Sequence, residues 1–313
     1  MNFPKLSKAV YQQRLAYPKA ISSIILDTDT YCEIDDPFAL TYALLAHDTI
    51  KMQGVTAAPF SNPRSDSPKD GMEKSYHEIL RIMDLADYSK TCPVKRGSTM
   101  FIPDKNIPVQ SSATDFIIEQ ALEFGKQGKT LYIVGIAAAT NIASAIVQCP
   151  EIIQYITVVW LGGHPQNWSS NEEFNLYQDV TAAQLIFDCG VPLIQIPCKN
   201  VAEHLTTSPA ELAVYIKGKS AIGSYLYNIF KDYAIEYNLL SKVIWDISAI
   251  AFFTTPEYMS AEIISSPILN NDKTWTMTTD RHPIRVITDI KRDFIFRDFF
   301  ARIQNHGNST SKS

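Results

Sequence analysis

The chain has 313 residues, 46% hydrophobic and 19% charged, with a formal charge of −5 and a pI near 5.7. That is an ordinary composition for a soluble globular protein with a substantial core. No Lys/Arg block is present, which argues against nucleic-acid binding by phosphate neutralisation, and no apolar run approaches the ~18 residues of a membrane span.

The first twenty residues, MNFPKLSKAVYQQRLAYPKA, lack the apolar stretch of a secretory signal, so the expected location is cytoplasmic. Apolar strand-like runs follow at Ile21–Leu26, Ile50–Ala57, Leu131–Gly135, Ile156–Leu161 and Leu193–Pro197. Helix-like stretches alternate with them at Pro37–His47, Gly71–Ala86, Ala113–Gly125, Asn141–Gln148 and Val180–Cys189. This alternation predicts an α/β protein with an open, mostly parallel sheet, flanked by helices on both faces in a Rossmann-like core. Asn200–Tyr237 reads as helical, Trp245–Thr254 as a buried helix, Ile284–Thr288 as a strand and Asp289–Ile303 as a closing amphipathic helix. With no internal repeat or low-complexity linker, one domain over residues 1–305 is expected, followed by a disordered tail at 306–313. The Pro/Ser-rich stretches Pro59–Pro68 and Gly97–Ser112 are long enough to be functional loops. Five cysteines (Cys32, Cys92, Cys149, Cys189, Cys198) with no C-x-x-C pair argue against a disulfide framework or a thiolate zinc site; a catalytic thiol at Cys32 is the lesser reading.

The stretch IILDTDTYCEIDDPFAL, residues 24–40, places Asp27, Asp29, Glu33, Asp35 and Asp36 directly after the first predicted strand. Ligands of open α/β sheets sit at the carboxyl ends of strands, and so many carboxylates repel unless a cation lies among them. The donors are all oxygens, which suits a hard ion such as calcium or magnesium better than zinc. An EF-hand loop is ruled out, because its sixth position must be Gly and counting from Asp27 it is Cys32. In the plain alternative, Asp36 caps the helix opened by Pro37, which pushes Asp36 out of helical geometry, and the other acids are solvated. A rival enzyme reading is a HAD-like magnesium phosphatase, whose strand-then-D-x-D start Asp27-Thr28-Asp29 resembles; there a second acidic pair comes much later in the chain, whereas Asp35-Asp36 shares this loop.

Strand, D-x-D, short loop, D-D, then apolar helix resembles the nucleoside hydrolases of the inosine–uridine N-ribohydrolase type, in a variant with five residues (Thr30–Ile34) where most members have three. Three later segments agree in order: GIAAATNIASAI at 135–146, VVWLGGHPQNWSSNEEFNLYQ at 158–178 and KVIWDISAIAFF at 242–253. The resemblance implies calcium-dependent hydrolysis of ribonucleosides to base and ribose. It also implies a homodimer or homotetramer and, by residue, calcium ligation by Asp29, Asp36, Asp246 and the Thr140 carbonyl. Asp35 would be the general base and Asp27 a supporting acid that touches the site. Asn167, Glu173, Phe174 and Asn175 would hold the ribose, and Asn62 would lie near the attacking water. Helix capping is the plain reading for Thr140-Asn141 and for Asp246.

Two departures bear on the base. Where many pyrimidine-accepting members have a His before the last Asp, this chain has Trp245, which implies stacking on the base and a purine leaning. The His-Gly-x-Asp-Gly segment of many members is missing; KRGSTMFIPD stands at 95–104. His164 and His282 are candidate acids near the base, and His77 reads as a surface residue. A catalytically silent nucleoside- or sugar-binding relative is the third reading.

Overall fold

A computed structural model describes residues 3–89 and 92–310, except the side chains of 309 and 310. After helix α1 (Lys8–Arg14), the chain alternates strand and helix: β1 (Ser22–Thr28), α2 (Asp36–Leu45), β2 (Ile50–Ala57), α3 (Pro68–Leu85), β3 (Val94–Arg96), α4 (Ser112–Lys126), β4 (Leu131–Gly135), α5 (Thr140–Gln148) and β5 (Ile156–Leu161). Then come α6 (Phe174–Gln178), α7 (Val180–Asp188), β6 (Leu193–Ile196), β7 (Thr206–Thr207), α8 (Pro209–Tyr215), α9 (Ala221–Glu236), β8 (Lys242–Val243) and α10 (Ile247–Thr254). The chain closes with β9 (Met259–Ser265), β10 (Ile268–Leu269), β11 (Trp275–Thr276), β12 (Pro283–Ile290) and α11 (Arg292–Thr310).

Eight strands form one sheet in the order β3-β2-β1-β4-β5-β6-β12-β9, parallel throughout except for the antiparallel edge pair β12–β9. Alternation along each strand divides the core. Ile24, Leu26, Val134 and Val159 face the layer of α2, α9, α10 and α11, while Ile25, Ile133, Val158 and Trp160 face α4, α5 and α7. Every residue of α2 is buried, as expected of a helix that is apolar all round and covered on all sides. The strand order reverses between β1 and β4, so the crevice at their carboxyl ends is where a ligand is expected in such a sheet.

β2, β4 and β5 have the bounds read from the sequence. β1 runs two residues beyond Leu26, because Asp27 and Thr28 stay in register with Thr56 and Ala57 of β2, and Asp27 also pairs with Gly135 of β4. The stretch from Asn200 to Tyr237, expected to be helical, breaks into a short 3-10 turn at Ala202–His204, β7, α8 and α9. Pro209 opens α8, and Gly218, in left-handed geometry at φ +70°, separates it from α9. β12 takes Asp289 and Ile290 from the expected last helix, and that helix continues to Thr310, so residues 306–310 are helical where a disordered tail was expected. Residues 311–313 lie outside the described set.

Candidate active site

The acidic loop links the end of β1 to the start of α2. Asp36 is the first residue of α2, so Pro37 does not push it out of the helix, and its carboxylate does not cap. Instead, Asp36 Oδ1 accepts from Thr28 Oγ1 at 2.5 Å and from the Asp29 amide at 3.1 Å. Asp35 is the N-cap residue, yet only its carbonyl is used, by the amides of Phe38 (3.0 Å) and Ala39 (3.1 Å). Asp246 likewise precedes α10 without a side-chain cap bond. Both carboxylates are thus free to face the cleft, and one oxygen each from Asp35, Asp36 and Asp246 lie within 4.8 Å of one another. Asp29 is 2% exposed beside them, with Oδ2 buried and without a hydrogen-bond partner.

Burial raises the pKa of all four carboxyls, and mutual repulsion adds to it: Asp36 and Asp35 act on Asp29, Asp35 acts on Asp36, and Asp35, Asp36 and Asp29 act on Asp246. At Asp35 the buried Lys242 ammonium opposes that rise. Three buried carboxylates converging from two chain segments, with Asp29 and its orphaned oxygen in the same cleft, fit a hard cation.

Asp27 departs from both enzyme readings. It is fully buried inside β1 and does not line the cleft; its Oδ1 accepts from Thr56 Oγ1 (2.5 Å) and Asn141 Nδ2 (2.8 Å). Burial pushes its carboxyl up to about 7. Its Oδ2 is buried without a partner, and with Asp27 absent from the lining it does not present a phosphatase nucleophile to the cleft.

The cleft encloses about 260 Å³. Asp29, Asp35, Asp36 and Asp246 line it, and are here called its floor; Glu173, Phe174, Asn175, His164 and Trp245 also line it, and are called its wall. The Glu173 carboxylate is fully engaged, accepting from the amides of Gly163 (2.8 Å), Asn175 (3.0 Å) and Leu176 (3.0 Å), so it caps α6 and fastens the Gly-Gly turn. Gly163 needs its φ of +72°, a conformation side-chain-bearing residues disfavour. Asn175 Nδ2 donates to the Leu161 carbonyl at 3.1 Å, and Phe174 stands edge-on to Tyr177.

Besides Asp27, four expected residues lie outside the lining: Asn167, Asn62, Thr140 and His282. Asn167 is exposed on its loop; the neighbouring Asn171 is the buried one, holding the His164 amide at 2.9 Å. Asn62 turns its Nδ2 to the Cys32 carbonyl (3.0 Å) and Sγ (3.3 Å). Thr140 opens α5, with its hydroxyl donating to Asp179 at 2.8 Å. His282 is remote, stacked on Tyr11, and His77 is exposed. Burial and repulsion from the surrounding acids hold the Cys32 thiol well above its usual range, which disfavours a thiolate nucleophile.

Sequence reasoning missed Lys199, Cys198 and Glu172, all lining the cleft, and Lys242, which reaches it through Glu33. Lys199 follows the carboxyl end of β6, so the strand-end rule that singled out the acidic loop could have flagged it. Nothing in the sequence marks Lys242.

The family model for inosine-uridine preferring nucleoside hydrolases matches residues 24–297. The chain is 30% identical over 259 residues to the non-specific ribonucleoside hydrolase RihC of Escherichia coli, covering 75% of this chain and 79% of that protein. It is 28% identical over 208 residues to an uncharacterized protein of Schizosaccharomyces pombe, covering 61% of this chain and 65% of that one. The fold is similar to that of a purine-preferring ribonucleoside hydrolase from Gardnerella vaginalis, with a TM-score of 0.75 at 20% identity over 91% of this chain and 99% of that one.

Proposed function

The chain belongs to the inosine-uridine preferring nucleoside hydrolase family, a family of N-ribosyl hydrolases, and we propose that it hydrolyses the N-glycosidic bond of ribonucleosides with calcium, leaning towards purines. The observation that carries this is the convergence of Asp35, Asp36 and Asp246 on one cleft, with Asp29 beside them. When bound, calcium supplies the charge that grips vicinal sugar hydroxyls and polarises a water. Asp29, Asp36 and Asp246, which all line the cleft, would hold it.

Asp35 takes the proton of the attacking water as its oxygen bonds to the anomeric carbon. Because calcium polarises water more weakly than zinc does, a separate base is needed, and Asp35 faces the same cleft without capping its helix. The transition state carries oxocarbenium character, which the surrounding carboxylates favour. Asn175 and Phe174 orient the sugar. Glu173 fixes the turn that positions them, and Trp245, half-buried in the wall, stacks on the departing base.

A panel of purine and pyrimidine ribonucleosides, assayed for free base and reducing sugar with calcium and with a chelator, tests this. Release that the chelator abolishes is expected. Phosphate release from a monoester without base release would sink the reading, and thermal protection by nucleosides without turnover would favour a silent relative. The reading includes nucleoside salvage in the cytoplasm and a homodimer or homotetramer, which light scattering checks.

A further inference from the structure

Charge is divided unevenly across the cleft. Seven acidic residues line it, and Lys199 is the one Lys or Arg among the lining residues. The acids that bear on the chemistry form the floor. Lys199 stands on the wall, its Nζ 5.9 Å from the centre of the Trp245 ring, within cation–π reach. Glu203 holds the ammonium at 3.5 Å and is itself anchored, its Oε1 accepting the Asn200 amide at 2.5 Å. His164, the other basic group of the wall, is kept neutral by burial and by Lys199, and its Nδ1 is buried without a partner. Neither Trp245 nor His164 therefore offers a charged donor at neutral pH.

Breaking a glycosidic bond to nitrogen separates charge in one direction. The sugar carbon becomes cationic, and the electron pair of the broken bond leaves with the base. With the sugar held at the carboxylates, as the nucleosidase reading has it, the rest of the lining, Trp245 and Lys199 included, is left for the base. We propose that Lys199 is the residue that stabilises the departing base as an anion, so that the cleft selects nucleosides whose base carries a ring carbonyl next to a ring N–H, such as hypoxanthine, guanine and uracil.

The reasoning rests on the nucleosidase reading above and adds the leaving-group chemistry to it. Water oxygen bonds to the anomeric carbon, its proton goes to Asp35, and the electron pair of the C–N bond passes to the base. The Lys199 ammonium offsets that charge until the base takes a proton from solvent. Lactam bases delocalise the charge onto the carbonyl oxygen. Amino bases such as adenine leave more readily after ring protonation, which a neighbouring cation opposes. Lys199 thus separates two base classes that stacking on Trp245 alone does not.

The test compares wild-type protein with Lys199→Met and Lys199→Arg on inosine, adenosine and p-nitrophenyl β-D-ribofuranoside, whose leaving group departs as a stable anion unaided. The Lys199 side chain is 42% exposed, so the variants are expected to fold. Lys199→Met should lower kcat/KM for inosine about tenfold, less than the ~10²–10³ for a fully enclosed donor. The nitrophenyl riboside should stay within about twofold, adenosine should fall less than inosine, and Lys199→Arg should restore most of the inosine rate. Equal losses on inosine and the nitrophenyl riboside, or an unchanged inosine rate, would overturn the proposal while leaving the nucleosidase reading intact. Wild-type protein inactive on every riboside would instead defeat that reading, and the proposal with it.

Discussion

Lys242 Nζ lies 2.5 Å from Glu33 Oε2 and joins the two chain segments that supply the acidic floor. Glu33 belongs to the loop that carries Asp29, Asp35 and Asp36, and Lys242 sits in β8, four residues before Asp246. The ammonium is also 5.2 Å from the Tyr233 ring centre and acts on Asp35 through its charge. Lys242→Met would leave Glu33 and Asp35 without this neighbour. The expected loss is roughly 1–2 kcal/mol, below the 3–5 of a fully buried pair because Glu33 is 44% exposed. Calorimetry with a chelator should show a lower Tm than wild type. Calcium should then raise Tm by more than in wild type, since the ion offsets a larger repulsion. A variant whose Tm matches wild type in chelator would contradict the role assigned to the pair.

The floor carboxylates should behave oppositely in stability and in ion binding. Each is buried among like charges, so Asp246→Asn removes a repulsion while keeping the shape. Two like charges ~4 Å apart cost on the order of 4 kcal/mol at an effective dielectric of 20, and protonation relieves part of this. In chelator the variant should therefore melt at higher temperature, by about 2 kcal/mol in stability, and the calcium-induced rise in Tm should vanish. Titration calorimetry with calcium reads the same loss directly. An unchanged calcium affinity would remove Asp246 from the ligand set.

Asp35 and Asp36 are neighbours in sequence with different tasks, and substitution should separate them. Asp35→Ala is expected to bind calcium and lose about 10²–10⁴ in kcat, the usual share of a general base. Asp36→Ala is expected to lose calcium binding first, because Asp36 is fixed by Thr28 and the Asp29 amide for a ligand's role. A loss below about tenfold in a folded, calcium-binding Asp35→Ala protein would mean that another group takes the proton.

Much of this was legible in the sequence, for physical reasons particular to each part. Parallel strands buried on both faces are continuous apolar runs, which is why β2, β4 and β5 were found at their true ends. The edge strand β9 was missed because half of it faces solvent and its apolar signal is weak. Asp29, Asp35 and Asp36 stand out because an acidic run after a greasy strand is costly without a purpose. Asp27 belongs to the same run, but its place was decided by two residues of extra ladder pairing that no motif encodes. Glu33, without an evident role in the sequence, acquires one only through Lys242, 209 residues away. Lys199 and Asn171 are likewise ordinary in sequence and become informative only once the fold brings Lys199 to the cleft and Asn171 under the His164 amide.

His282 offers a test of stability that does not involve the cleft. It stacks on Tyr11 with ring centres 6.1 Å apart, and its Nε2 is buried without a hydrogen bond. Burial, aided by Arg281 and opposed by Asp188, lowers its pKa from 6.5 to about 4. As pH falls below 6.5, the unfolded chain takes up this proton while the folded protein resists it. The contribution is therefore intact above pH 6.5 and is lost progressively down to pH 4, at most about 3 kcal/mol for a shift of this size. His282→Phe keeps an aromatic ring against Tyr11 and removes the titration. Between pH 7 and pH 4 the Tm of wild type should fall more steeply than that of the variant, with the two curves parallel above pH 7. Curves that stay parallel throughout would show that His282 is as easily protonated in the folded protein as in the unfolded chain.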